Sequence, residues 1–237
     1  GTDNVISCGS FYKSNTDLDV NVGFEPQWIL AKCTSYPDDW YLVDTVRGMA
    51  YALNNLLYPN TNDAEVSRTS SGSINFIPTA TGFTAKNLTY PANWIYIAIR
   101  RPNKQPTSGT QVYNGIARTG TGAAATVSGV GFAPDLGIFT DRLKNASSTS
   151  RVVDRMRGVN SSATLFLYTQ LSNAEASGTG NGVVGFDVMD GFKVGGDTDG
   201  WVNYSGEGYI NHLFKRAPGF FDVVCYKGND TTNRTIT

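Results

Sequence analysis

The 237-residue chain is 40% hydrophobic and only 16% charged, with 26 glycines and 12% aromatic residues, a composition too apolar for disorder and turn-rich in the manner of all-β proteins. Its formal net charge is −1 with no basic stripe, so nucleic-acid binding has no electrostatic support. No run approaches the ~18 apolar residues of a membrane-spanning helix, so no membrane insertion is expected.

The first strand signal covers residues 5–13. A Gly23-Phe24-Glu25-Pro26 turn leads into the apolar run 28–33, WILAKC, and the Pro37-Asp38 turn leads into 40–44, WYLVD. Residues 49–57 carry a thin helical signal of one or two turns, weakened by Asn54-Asn55. Residues 74–77 alternate with period two, and 94–100, WIYIAIR, is rich in β-branched and aromatic side chains, the composition of a strand. Residues 101–109, RPNKQPTSG, are charged, proline-rich and end in glycine, which reads as a linker. Beyond it, strands are expected at 136–140, 151–154, 183–188 and 209–215, with Ala217-Pro218-Gly219 repeating the closing punctuation. Many short strands between turns predict a sandwich or barrel.

The order of these signals repeats. Residues 43–66 realign on 153–176 at an offset of 110 (153 − 43), with Val43/Val153, Asp44/Asp154, Arg47/Arg157, Gly48/Gly158, Leu57/Leu167, Tyr58/Tyr168, Ala64/Ala174 and Glu65/Glu175 identical. Gly23-Phe24-Glu25-Pro26 matches Gly131-Phe132-Ala133-Pro134, Gly82-Phe83 matches Gly191-Phe192, and residues 94–102 match 209–218. A self-match at a fixed period indicates duplicated structural units. The reading is two units, residues 1–105 and 110–220. Phe24/Phe132, Leu57/Leu167, Phe76/Phe186 and Phe83/Phe192 are expected to be buried at equivalent places. Residues 221–237 resemble the segments that open each copy, so they start a third copy or form a strand exchanged across the boundary. The chain opens on Gly1 rather than Met, as expected of a fragment or processed product.

Taken in order, Gly23-Phe24-x-Pro26, Val43-Asp44-x-x-Arg47-Gly48, Leu57-Tyr58-Pro59-Asn60-Thr61-Asn62-Asp63-Ala64-Glu65, Gly82-Phe83, Ile95-Tyr96-Ile97-Ala98, Lys215-Arg216-Ala217-Pro218-Gly219-Phe220 and Val224-Cys225-Tyr226-Lys227-Gly228-Asn229 form a set that resembles a β-rich module of tailed-phage virion proteins with concanavalin-like jelly-roll character. The resemblance implies an all-β fold of two tandem jelly-roll-like antiparallel β-sandwich units. It implies an external virion appendage, tail-associated or on the head, made in the host cytoplasm. Its expected partners are other virion proteins, further copies of itself and a host-surface glycan. A ligand-free decoration protein and a polysaccharide depolymerase using Asp and Glu are the alternatives.

The residues offer little catalytic apparatus. His212 is the only histidine, which leaves one base for a Ser-His-Asp arrangement and none for a two-histidine metal site. Glu25, Glu65, Glu175 and Glu207 show none of the strand-borne spacing of paired glycosidase carboxylates. No catalytic residue, metal or cofactor is therefore expected. Asp197-Thr198-Asp199-Gly200 resembles the start of a calcium loop, but copy one has no counterpart and a glycine-rich turn accounts for it. The recurring Asp44-x-x-Arg47-Gly48 and Asp154-x-x-Arg157-Gly158 read as structural turns, in which the carboxylate accepts local N–H groups and the Arg returns to it, and Gly permits positive φ. Aromatics beside turns are the candidates for stacking on a sugar: Trp40, Tyr41, Tyr90, Trp94, and above all Trp201 and Tyr204, with Asp199 or Asn203 reading hydroxyls. Cys8, Cys33 and Cys225 lack disulfide spacing and read as small buried hydrophobes in a chain folded in a reducing compartment.

Overall fold

A computed structural model describes residues 4–50, 54–68, 74–88, 91–102, 104–142, 149–159, 164–178, 180–196 and 201–224. Among them the first unit contributes β1 (Ile6–Lys13), β2 (Leu18–Asn21), β3 (Pro26–Cys33), β4 (Trp40–Asp44), β5 (Asn54–Leu56), β6 (Val66–Arg68), β7 (Asn75–Thr79), β8 (Gly82–Lys86) and β9 (Ala92–Arg100). A single 3-10 turn, Gly109–Gln111, precedes the second set. That set is β10 (Tyr113–Thr119), β11 (Ala125–Ser128), β12 (Leu136–Asp141), β13 (Arg151–Asp154), β14 (Thr164–Tyr168), β15 (Ala176–Gly178), β16 (Val183–Val188), β17 (Gly191–Val194) and β18 (Gly208–Phe214).

The two sets have the same connectivity. The large sheet of the second unit runs β10-β18-β12-β13-β14-β15, and that of the first runs β1-β9-β3-β4, with the β5-β6 pair attached through the Leu42–Leu57 bridge. The small sheets are β2-β8-β7 and β11-β17-β16. Every strand pairing is antiparallel. The protein is thus all-β, an internal duplication of one antiparallel β-sandwich. Within each unit the first strand pairs with the last and the second with the next to last, so the chain ends travel as one ribbon from the large sheet to the small one, in jelly-roll fashion.

Alternation along the strands builds the core. In β9, Ala92, Trp94, Tyr96 and Ala98 point inward while Asn93, Ile95 and Ile97 point out, as a pleated strand requires. Phe83 of the small sheet meets Phe11 and Tyr96 of the large sheet, with ring centroids 6.0 and 5.4 Å apart. Phe192 meets Phe139 in the same way at 5.3 Å. Phe24/Phe132, Phe76/Phe186 and Phe83/Phe192 are all buried. The recurring Gly82/Gly191 precede two of these rings because a Cβ there would lie 1.9 Å from the Val20 or Val127 carbonyl oxygen.

Three expectations are corrected. Leu57/Leu167 are not core residues: Leu167 is 40% exposed and Leu57 half-buried, while the preceding Leu56 and Phe166 fill the core. A strand reverses its facing at each residue, and the identical leucines fall on the outward phase. The described part of residues 49–57 is extended, not helical: Met49 bridges Asn54, and the Asn55 Nδ2 donates to the Arg47 carbonyl at 2.6 Å. Cys8 is exposed, whereas Cys33 is buried; Cys225, and most of the expected third copy with it, lies outside the described residues.

Candidate functional site

The duplicated Asp-x-x-Arg-Gly turns end β4 and β13. Asp44 Oδ1 accepts the Arg47 backbone N–H at 2.8 Å and Oδ2 accepts Arg47 Nε at 2.6 Å; Asp154 and Arg157 repeat both bonds. Gly48 and Gly158 follow at φ 122 and 114, the left-handed side where a Cβ is strained. The second edge of each guanidinium faces the other recurrent acid, with Arg47 Nη1 2.8 Å from Glu65 and Arg157 Nη1 3.9 Å from Glu175. The three recurring charged residues therefore form one strut between the end of a strand and the segment leading into β6 or β15.

The sugar-stacking assignment fails at Trp201 and Asn203. Trp201 is 2% exposed, with the Arg151 guanidinium 4.1 Å above its ring and the Phe166 ring 5.4 Å away. Asn203 is 1% exposed; its Nδ2 donates to the Ala123 and Gly195 carbonyls at 2.7 and 3.1 Å, and its Oδ1 accepts from Thr121 N and Arg118 Nη1. An aromatic ring and a four-bonded amide that pin a loop to the core of the second unit have no face left for a ligand. Tyr204 is exposed, and Asp199 lies outside the described residues. Of the other aromatic candidates, Tyr41 and Trp94 are core residues, Trp40 is half-buried, and Tyr90 lies outside the described residues.

A denser charged site lies where the units meet. Arg155 Nη1, on the turn after β13, donates to the Thr45 and Val46 carbonyls of the first unit at 2.8 and 3.2 Å. Its Nη2 donates to the Pro134 and Phe186 carbonyls, and its Nε faces Asp135 at 3.0 Å. Burial pushes this guanidinium below its ordinary pKa, and Asp135 opposes the shift. Beside it, Arg216 grips both carboxylate oxygens of Glu25 at 2.6 Å and also bonds Asp222. Burial alone lowers the Arg216 guanidinium, but the bonds to Glu25 and Asp222 outweigh it and hold the group above its ordinary value. Arg101 closes the ring, 2.9 Å from Asp222 and 3.4 Å from Glu25.

Next to this junction the surface is aromatic and open. Tyr113 packs on His212 and Phe214, Phe214 on Phe221, and Phe221 on Phe220, with centroids 5.1 to 6.5 Å apart. The Tyr113 hydroxyl lies 2.9 Å from His212 Nδ1. Tyr113 and Phe220 are 40% and 44% exposed. Phe220 also lines a shallow cavity of about 290 Å³ with Gln105, Pro106, Thr107 and Ser108 of the linker. Among the described residues no group of three or more His, Cys, Asp or Glu is placed to hold a metal ion, and no helix is long and apolar enough to cross a membrane.

A family described as a domain of unknown function, DUF7483, matches residues 7–99 and again residues 108–220. The chain belongs to the DUF7483 family. No curated protein and no solved structure matches it. Three of the junction positions differ between the two DUF7483 copies: Glu25 stands opposite Ala133, Gln27 opposite Asp135, and Thr45 opposite Arg155, whereas Arg101 and Arg216 are equivalent. Reading the shared positions of the repeat finds the turns and passes over the junction. The signal that marks it is that Glu25, Asp135 and Arg155 are charged in one copy only.

Proposed function

We propose that the protein is a structural component of a tailed-phage virion, an external appendage borne on the tail or head. The ordered motif set that resembles phage virion modules supports the setting. The observation that carries a structural role is the buried clamp of Arg155, Arg216 and Glu25. It ties the orientation of one sandwich to the other, as an appendage that holds a fixed shape requires. The recurrent acids Asp44, Asp154, Glu65 and Glu175 face arginines, so their recurrence is accounted for without an acid–base pair. Mass spectrometry of purified particles, followed by gold-labelled antibody in the electron microscope, tests the reading. The expected result is a stoichiometric particle protein labelled on the outside; absence from washed particles overturns it.

A second reading, adhesion to host glycan, is favoured by the exposed Tyr113–Phe220 aromatic ridge beside the linker cavity, which offers flat apolar faces for sugar rings and Gln105, Thr107 and Ser108 for hydroxyls. Such a shallow site suits millimolar single-site affinity, about −4 kcal/mol, raised roughly 10²–10⁴-fold by display in many copies. Multimerised wild type is expected to bind host cells, and Tyr113→Ala with Phe220→Ala to bind them at least ten-fold less. Equal binding removes the ridge as the contact; no binding by the wild type leaves the ligand-free appendage.

A further inference from the structure

The outward side of the first unit's large sheet is apolar where a solvent-facing sheet turns polar. Its central cross-strand row reads Cys8, Ile97, Leu30, Leu42 and, through the bridge, Leu57. Ile95 and Ile97 are 41% and 38% exposed. The only charges on this face of β1, β9, β3 and β4 are Lys32 and Asp44, which are opposite in sign; Lys32 Nζ donates to the Asp38 main-chain carbonyl and Asp44 pairs with Arg47, both within the unit. β9 is therefore apolar on both faces, the pattern of a strand buried on both sides. The duplication repeats the feature in part: the equivalent row of the second unit reads Gly115, His212, Ile138, Val152 and the 40% exposed Leu167, with His212 in the place of Ile97. The identical Leu57/Leu167, placed outward in both units, belong to this surface.

We infer that this outer face is covered by a second copy of the chain, in a dimer joined face to face through the Ile97 row. Four strands about 4.8 Å apart, of 8, 9, 8 and 5 residues each rising about 3.4 Å, present about 500 Å². Two such faces bury about 1,000 Å², where specific interfaces begin. An apolar patch with balanced charge is complementary to itself, as a two-fold interface requires, and a partner of strong charge finds nothing on it to pair with.

Sedimentation equilibrium of the full chain from micromolar to ~100 μM tests the inference. The expected result is a particle of twice the chain mass, with Ile97→Lys raising the dissociation constant more than ten-fold and Met189→Lys, on the exposed β16–β17 turn, leaving it unchanged. A monomeric wild type overturns the dimer and assigns the face to another occupant; an Ile97→Lys variant that associates like wild type overturns the surface. Because a lysine in a sheet can also impair folding, the unmodified face is read as well. In a Cys225→Ser background, labelling of Cys8 by a maleimide is expected to slow at least five-fold as concentration rises through the dissociation constant, and a concentration-independent rate overturns the proposal.

Discussion

Asp44 and Asp154 each spend both carboxylate oxygens on the arginine three residues later, one on its backbone and one on its side chain. Replacing either with alanine leaves a backbone N–H and a half-buried guanidinium edge without that acceptor, so a loss of about 1–3 kcal/mol is expected in urea denaturation. Asp154, whose side chain is 5% exposed against 15% for Asp44, is expected to cost more. Trp201 separates packing from recognition. Trp201→Ala is expected to cost about 3–5 kcal/mol, as for a large ring removed from a core, while Tyr204→Ala stays within about 0.5 kcal/mol; the reverse ranking in the same denaturation experiment would contradict the assignment. Tyr41 contributes a pH dependence. Burial, and then the bond its hydroxyl donates to Asp38 at 2.8 Å, raise its phenol above the ordinary value. Above about pH 10 the unfolded chain releases this proton and the folded one keeps it, so the folded state binds more protons and stability falls as pH rises. Tyr41→Phe is expected to flatten that alkaline slope in melting temperatures measured from pH 9 to 11.

Strands whose apolar content alternates or runs long were legible from sequence: β4, β13 and β16 fall where the residue pattern places them, and β3, β9, β12 and β18 differ only at their ends. β5 and β14 were not. Each is short and has apolar neighbours facing opposite ways, Leu56 of β5 with Leu57 just beyond it and Phe166 with Leu167 in β14, so period two is erased and inward cannot be told from outward. The difference is measurable. Leu56 is fully buried, and Leu56→Ala is expected to cost about 2–5 kcal/mol; Leu57→Ala, on the outward phase, is expected to cost less than about 1 kcal/mol at concentrations where the chain is monomeric. Equal costs in thermal unfolding would place both leucines in one core. The candidate site was legible to the extent that it recurs. The Asp-Arg-Gly turns could be read because two copies spell them alike, although the partnership of Glu65 with Arg47 spans 18 residues and local spacing does not reveal it. Trp201 misled because glycine and aspartate around an aromatic look the same whether the loop faces water or is drawn in by Arg151 and Arg118.

At the scale of the molecule, the two sandwiches meet through the same turn of each. Arg155 bonds the carbonyl of Thr45, its own equivalent in the repeat (45 + 110 = 155), so the copies face one another there, unlike a row in which each unit offers a different patch to the next. The contact needs the arginine of one copy and only the main-chain carbonyls of the other, so two threonines at that place could not make it. Glu25 is the cleanest probe of the coupling because the second unit carries Ala133 at the same position and folds the same way, so alanine is compatible with the unit itself. Glu25→Ala removes both oxygens that Arg216 grips, leaving a guanidinium 6% exposed with Asp222 as its remaining acid. Loss of one member of a buried pair costs about 3–5 kcal/mol, and here that cost falls on the junction. Differential scanning calorimetry of the wild type is expected to show one cooperative transition, with equal calorimetric and van't Hoff enthalpies. In Glu25→Ala it is expected to resolve into two, the first unit and the second melting separately. A single transition of unchanged midpoint in the variant would show that the units are held together by something other than the arginine clamp.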